Sequence, residues 1–227
     1  MEAWIWNNAI NPLASAVKCS WKVTTVSPSY LDELKYMSNG LEDLFEYEKG
    51  KCVGILNGID NEVWDPTTDP LLTKQYDKLT VDEGKLANKK ELCERFGLDI
   101  EKPLVVFIGR LVGEKAADLL PDAISSSIYQ HHGNCCFLIL GSGEPHVEGE
   151  LADMNGRFGG YINTYIGYSE PLSHMMYAGA DFLLMPSRVE PCGLNQMYAL
   201  RYGTVPIVRN TGGLRDTVTD FGDWQGF

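Results

Sequence analysis

The chain has 227 residues, 44% of them hydrophobic, and a formal net charge of −12. That apolar content excludes a disordered chain, and the length allows one large domain or one and a half. So acidic a balance argues against nucleic acid and anionic membranes as partners, so an anionic ligand must be held by a few local cations.

The six cysteines, Cys19, Cys52, Cys93, Cys135, Cys136 and Cys192, form no C-x-x-C pair. They read as buried reduced thiols in a reducing compartment, not as a disulfide framework or zinc site. No apolar run approaches the ~18 residues of a membrane-spanning helix. The opening residues Met1–Trp6 lack the basic region of a secretory signal.

Along the chain, Lys22–Val26 reads as a short strand. Ser27 and Pro28 open a helix as N-cap and first helical residue. Residues 1–52 look too few to bury a core of their own and read as the tail of a larger domain. Residues 53–70, rich in Gly, Asn, Asp and Pro, read as a connector. From 71 to 227 strands and helices alternate. A polar helix covers Val81–Phe96 and stops at Gly97. Strands follow at Pro103–Ile108, Cys135–Leu140, Tyr161–Ile166, Phe182–Met185 and Val205–Val208. Helices fall at Lys115–His131, Glu148–Phe158, Glu170–Ala178, Leu194–Tyr202 and Gly213–Thr219. The apolar runs are continuous, which marks strands buried on both faces. The expected fold is α/β, a Rossmann-like doubly wound parallel sheet with ligands at the C-terminal strand ends, ending at Gly226-Phe227 without a closing element.

The candidate site residues sit at those strand ends. Arg110 ends the first strand of the alternating part, and Lys115 lies five residues on. A single Arg or Lys is ordinarily surface charge. A fork-shaped guanidinium and a mobile ammonium at one strand-to-helix loop suit a pyrophosphate. Gly141-Ser-Gly143 is a glycine turn without the full G-x-G-x-x-G pattern, which counts against a nicotinamide cofactor. Tyr168 could stack on a nucleobase or simply pack against its neighbours. Thr211, Gly212 and Gly213 open a helix and could cradle an anion or merely reverse the chain. Glu190 lies between Arg188 and Gly193, in an apolar strand–loop–helix context, and is the strongest single candidate. Among the histidines, His174 reads as a helix-packing residue, and none has metal-ligand spacing.

Taken in order, Asn57-Gly-Ile-Asp60, Gly109-Arg-Leu with Lys115, Tyr168-Ser-Glu, Met185-Pro-Ser-Arg, Glu190-Pro-Cys-Gly-Leu-Asn-Gln and Thr211-Gly-Gly-Leu-Arg-Asp216 resemble bacterial glycogen synthases and plant starch synthases. The resemblance runs from about Lys22 to the end. It implies the C-terminal half of a GT-B glycosyltransferase, with residues 1–52 the tail of the N-terminal GT-B domain. The reaction implied is transfer of glucose from ADP-glucose to the non-reducing end of an α-1,4-glucan, with retention and without metal or cofactor. By the same resemblance Arg110 and Lys115 hold the donor phosphates, Tyr168 lies beside the adenine, and Glu190 contacts the glucose. Cys192, Gly193 and Leu194 line the glucose and phosphate pocket, and Thr211, Gly212 and Gly213 form a second phosphate-facing loop.

Three departures are visible. The family's N-terminal Lys-Thr-Gly-Gly-Leu loop is absent, so the chain by itself is expected to bind nucleotide weakly and not to catalyse. Glu114 replaces the usual glutamine before Lys115. Tyr198 takes the second glutamate position of a broader E-x7-E pattern, as is normal in this branch. A UDP-glucose donor, another acceptor, or a silent nucleotide- or glucan-binding module remain alternatives. The implied location is bacterial cytoplasm, with plastid stroma the other choice.

Overall fold

The structure, a computed structural model, describes residues 5, 6, 9–130, 132–220 and 222, with the side chain of Ile5 excepted. They pack into two compact units: Met1–Gly58, Val189–Gly193 and Asn210–Phe227 in the first, Ile59–Arg188 and Leu194–Arg209 in the second.

The first unit opens with an antiparallel pair, β1 (Ile5–Trp6) and β2 (Ala9–Ile10), then α1 (Pro12–Cys19). Strands β3 (Val23–Thr25) and β4 (Cys52–Gly54) pair in parallel, with α2 (Pro28–Leu34) and α3 (Glu42–Tyr47) between them in sequence. The Ser27 hydroxyl caps α2 by accepting from the Tyr30 N–H at 3.1 Å, and Pro28 supplies a preset φ where no N–H is needed. Contrary to the expectation for residues 1–52, this segment does bury a small core of Ala14, Val17, Leu41, Leu44 and Phe45.

The second unit carries α4 (Val81–Phe96), β5 (Leu104–Ile108), α5 (Leu120–Gln130), β6 (Cys136–Gly141), α6 (Pro145–Arg157), β7 (Ile162–Ile166), α7 (Glu170–Gly179), β8 (Phe182–Met185), α8 (Asn195–Arg201) and β9 (Val205–Val208). Helix α9 (Gly212–Thr217) returns to the first unit. The five strands form one parallel sheet in the order β7-β6-β5-β8-β9. Ile162, Phe137, Val105, Phe182 and Val205 stand in one row across it. The order reverses at β5, so the sheet is doubly wound as expected, with its switch point at the end of that strand.

Every residue of β6 is buried. One face packs Phe107, Phe137 and Ile139 against Leu120 and Ile124 of α5 and Leu151 and Met154 of α6. Each such side chain taken fully from water contributes about 2 kcal/mol. Helix α4 ends where Gly97 turns left-handed at φ 65°, and the Leu98 N–H reaches back to the Cys93 carbonyl at 2.9 Å.

Three expectations need correction. Helix α5 starts at Leu120 and not at Lys115, because Pro121 is tolerated only in a first turn; residues 113–119 form short 3-10 turns on either side of Ala116 at φ 54°. His131, placed in that helix by sequence, lies outside the described residues. The units also cut the chain differently from a 53–70 connector and a 71–227 domain: residues 59–70 belong to the second unit, while 189–193 and 210–227 belong to the first. Finally, all six cysteines are free, but only Cys93, Cys136 and Cys192 are buried, and Cys19 is exposed.

Candidate functional site

In the second unit the loops after β5 and β6 zip together beyond the sheet. The Leu111 N–H bonds the Ser142 carbonyl at 2.8 Å, and the Glu144 N–H bonds the Leu111 carbonyl at 2.8 Å. Gly141 has to be glycine, since a Cβ there would stand 2.0 Å from the Gly109 carbonyl oxygen. A cavity of about 400 Å³ opens at these strand ends. Gly109, Arg110, Gly141, Ser142, Gly167 and Tyr168 border it from β5, β6 and β7. Asn195 and Tyr198 border it from α8, with the Asn195 amide bonded to the Ile108 carbonyl at 2.7 Å.

Arg110 therefore lies where the sequence placed it. Its guanidinium pairs with Glu114 at 3.1 Å, both side chains well exposed. Lys115 sits in the neighbouring 3-10 turn but does not border the cavity. That turn is pinned from β8: Arg188 forms a bidentate pair with Asp118 at 2.5 and 2.8 Å and donates to the Gly113 carbonyl at 2.7 Å. Arg188 thereby holds the Asp118 carboxyl below its usual range. Tyr168 is 83% exposed, so its ring face is open to a ligand and not packed. Leu194, at the head of α8, is partly exposed.

The first unit holds the other candidates together. Glu190 is buried at 5% exposure, and Cys192 is buried beside it. Gly213 donates to the Glu190 carbonyl at 2.9 Å, and a Cβ on Gly213 would meet the Cys192 Cα at 2.3 Å. Gly212, at φ 45°, would put a Cβ 2.1 Å from the Glu190 carbonyl oxygen. The two glycines thus let the 190–193 loop and the start of α9 touch backbone to backbone. The anion-cradle groups are already engaged. Glu33 of α2 accepts from the Gly212 N–H at 2.7 Å and from the Thr211 hydroxyl at 3.0 Å. Helix α2 grips this region twice more, through Ser27 to the Pro191 carbonyl at 2.6 Å and Ser29 to Asp216 at 2.7 Å.

Sequence reasoning missed an aromatic wall of the cavity. The Trp64 indole lies stacked between His174 (centroids 3.9 Å) and Tyr198 (3.7 Å), with Tyr177 edge-on at 5.7 Å. Behind it, the Asp69 carboxylate, 2% exposed, accepts from His174 Nδ1 at 2.7 Å and from the Tyr202 hydroxyl at 2.6 Å. A lone tryptophan in a polar, turn-rich segment was the available signal. Among the described residues no cluster of His, Cys, Asp and Glu could hold a metal, and no helix is long and apolar enough to cross a membrane.

A doubly wound sheet with an arginine at its switch point, and an open tyrosine after the edge strand β7 on the same cavity, is a Rossmann-like architecture, a class that takes its ligands at C-terminal strand ends. Residues 88–227 match the family model described as glycosyl transferases group 1, and residues 1–47 match the starch synthase catalytic domain model. The chain belongs to the group 1 glycosyl transferases. It is 56% identical over 218 residues to the glycogen synthase of Flavobacterium johnsoniae, covering 96% of this chain and 46% of that protein. It is 42% identical over 222 residues to the glycogen synthase of Rhodospirillum rubrum, covering 96% of this chain and 45% of that one. Its fold resembles the catalytic domain of starch synthase IV from Arabidopsis thaliana bound to ADP and acarbose, with TM-score 0.86 and 38% identity over 96% of this chain and 45% of that structure. The chain spans about half the length of the relatives it matches.

Proposed function

We propose that this chain supplies the donor site of an enzyme that transfers glucose from ADP-glucose to the non-reducing end of an α-1,4-glucan, with retention. The observation that carries the reading is the cavity at the β5–β7 strand ends, bordered by Arg110 and the open face of Tyr168. The resemblance to a starch synthase structure described as bound to ADP and acarbose supports the same ligand classes. In this reading Arg110 and Lys115 face the diphosphate and stabilise the charge it gains as it leaves, and fixed cations do this without reorganisation in the transition state. Tyr168 stacks on the adenine. Glu190 accepts hydrogen bonds from the glucose, while Cys192, Gly193 and Leu194 line its pocket. Thr211, Gly212 and Gly213 face phosphate only if it displaces the Glu33 carboxylate. The remaining half carried by the relatives would complete the site, and the location is bacterial cytoplasm.

Calorimetric titration of ADP, UDP and NAD into the purified chain, with Arg110→Ala alongside, tests this. ADP should bind and lose roughly 10- to 100-fold in the variant, the worth of a hydrogen bond to a charged group. ADP binding that ignores Arg110→Ala refutes the donor site, and equal UDP binding shifts the reading to another nucleotide sugar.

A further inference from the structure

Helix α7 turns one face to the cavity. Glu170, Ser173 and Tyr177 recur at i, i+3 and i+7, and all three border it. The Ser173 hydroxyl is spent on the Glu170 carbonyl at 2.7 Å. Tyr177 differs. Its residue is 2% exposed, but its hydroxyl has no hydrogen-bond partner among the described residues and is not shut off from solvent, so it is open to a ligand at the cavity. The two neighbouring buried tyrosines are already engaged: Tyr76 donates to the Tyr202 carbonyl at 2.8 Å, and Tyr202 donates to Asp69. Burial also pushes the Tyr177 hydroxyl above its ordinary value, so it stays a neutral donor and acceptor.

Two more residues that border the same cavity, Trp64 and Tyr198, carry a polar group, the indole N–H and the hydroxyl, without a protein partner among the described residues. The stack on His174 fixes the Trp64 ring, and the Tyr177 ring meets both others edge-on at 5.7 Å. A rigid group of donors and acceptors on apolar rings is thereby held at the cavity wall before any ligand arrives. Arg110 is the one cation bordering the cavity among the described residues, so this wall suits the uncharged part of a nucleotide and not its phosphates.

We infer that Tyr177 is a specificity-determining residue that hydrogen-bonds the nucleoside part of the donor, through a ribose hydroxyl or the polar edge of the base. The inference rests on the reading of this cavity as the nucleotide site. Tyr177→Phe keeps the ring and its edge contacts and removes one oxygen. Dissociation constants for ADP, 2′-deoxy-ADP, 3′-deoxy-ADP and inosine diphosphate would be measured on the unsubstituted chain, on Tyr177→Phe and on Arg110→Ala, with melting temperatures for each. The variant should bind ADP roughly 3- to 10-fold more weakly with an unchanged or raised melting temperature. The loss should vanish for one analogue, a deoxy form if the ribose is read and the inosine form if the base is. Full-strength ADP binding by Tyr177→Phe, with weakened binding by Arg110→Ala, overturns the inference and leaves the cavity reading intact. Equal losses for every analogue with a lowered melting temperature mean a structural role and also overturn it. No ADP binding by the unsubstituted chain, or none of it sensitive to Arg110→Ala, sinks the cavity reading and the inference with it.

Discussion

Replacing Asp69 with asparagine should cost about 3–5 kcal/mol of stability. The carboxylate is 2% exposed and accepts three hydrogen bonds: the Leu71 N–H on Oδ1 at 2.9 Å, and His174 Nδ1 and the Tyr202 hydroxyl together on Oδ2. Asparagine has one acceptor oxygen. If that oxygen stays with Leu71, the amide NH2 faces two donors; if the amide flips, the Leu71 bond is lost and a donor opposes it. Either way buried groups lose their partners, and hydrogen bonds to a charged acceptor contribute about 1.5–3 kcal/mol each. For a chain of this size the change corresponds to a melting temperature lower by roughly 6–15 °C. Equilibrium urea unfolding of Asp69→Asn, Tyr202→Phe and the double variant provides the assay. The asparagine should cost about 1–2 kcal/mol less once Tyr202 no longer donates, since the two sites share a hydrogen bond. A single-variant cost under about 1 kcal/mol, or strict additivity in the cycle, would refute the idea that Asp69 anchors this aromatic wall.

Two other substitutions follow from the same packing. Glu114→Gln frees the Arg110 guanidinium from a competing carboxylate, and exposed pairs of this kind are worth about 0.2–1 kcal/mol, so ADP should bind roughly 1.4- to 5-fold tighter. Calorimetry should show the gain disappearing at about 1 M salt and in an Arg110→Ala background, and a gain that survives both would argue against direct competition. Lys85 donates to the Tyr177, Ala178 and Tyr202 carbonyls and to the Thr204 hydroxyl, and burial pushes its ammonium down to about 8, against a smaller opposing pull from Asp181. The folded state thus holds fewer protons than the unfolded one between about pH 8 and 10.5, and stability from this group rises across that window, by about 3 kcal/mol in all. Urea unfolding at pH 7.5 and 9.5 should show the unsubstituted chain gaining on Lys85→Met, and a constant difference would place the ammonium outside that balance.

The sheet was readable because its signals are local. Unbroken apolar runs such as Cys136–Leu140 and Phe182–Met185 mark strands, although only the first is covered on both faces and the second alternates between half-buried and buried positions, and the stops and starts at Gly97, Ser27 and Pro28 act within one or two turns of backbone. The position of Arg110 and Tyr168 at a cavity was equally legible, because a doubly wound sheet opens its crevice at the C-terminal strand ends. What stayed hidden depends on partners far apart in the chain. Asp69 meets His174 across 105 positions and Tyr202 across 133, and Glu33 reaches Gly212 across 179. No periodicity or turn chemistry encodes such pairings, since each arises only when separate elements are brought to hydrogen-bond distance. Tyr177 shows the limit most plainly. In sequence it is one more apolar residue on a buried helix, and only tertiary packing, which gives Tyr76 and Tyr202 their partners and leaves the Tyr177 hydroxyl with none at a cavity wall, separates it from them.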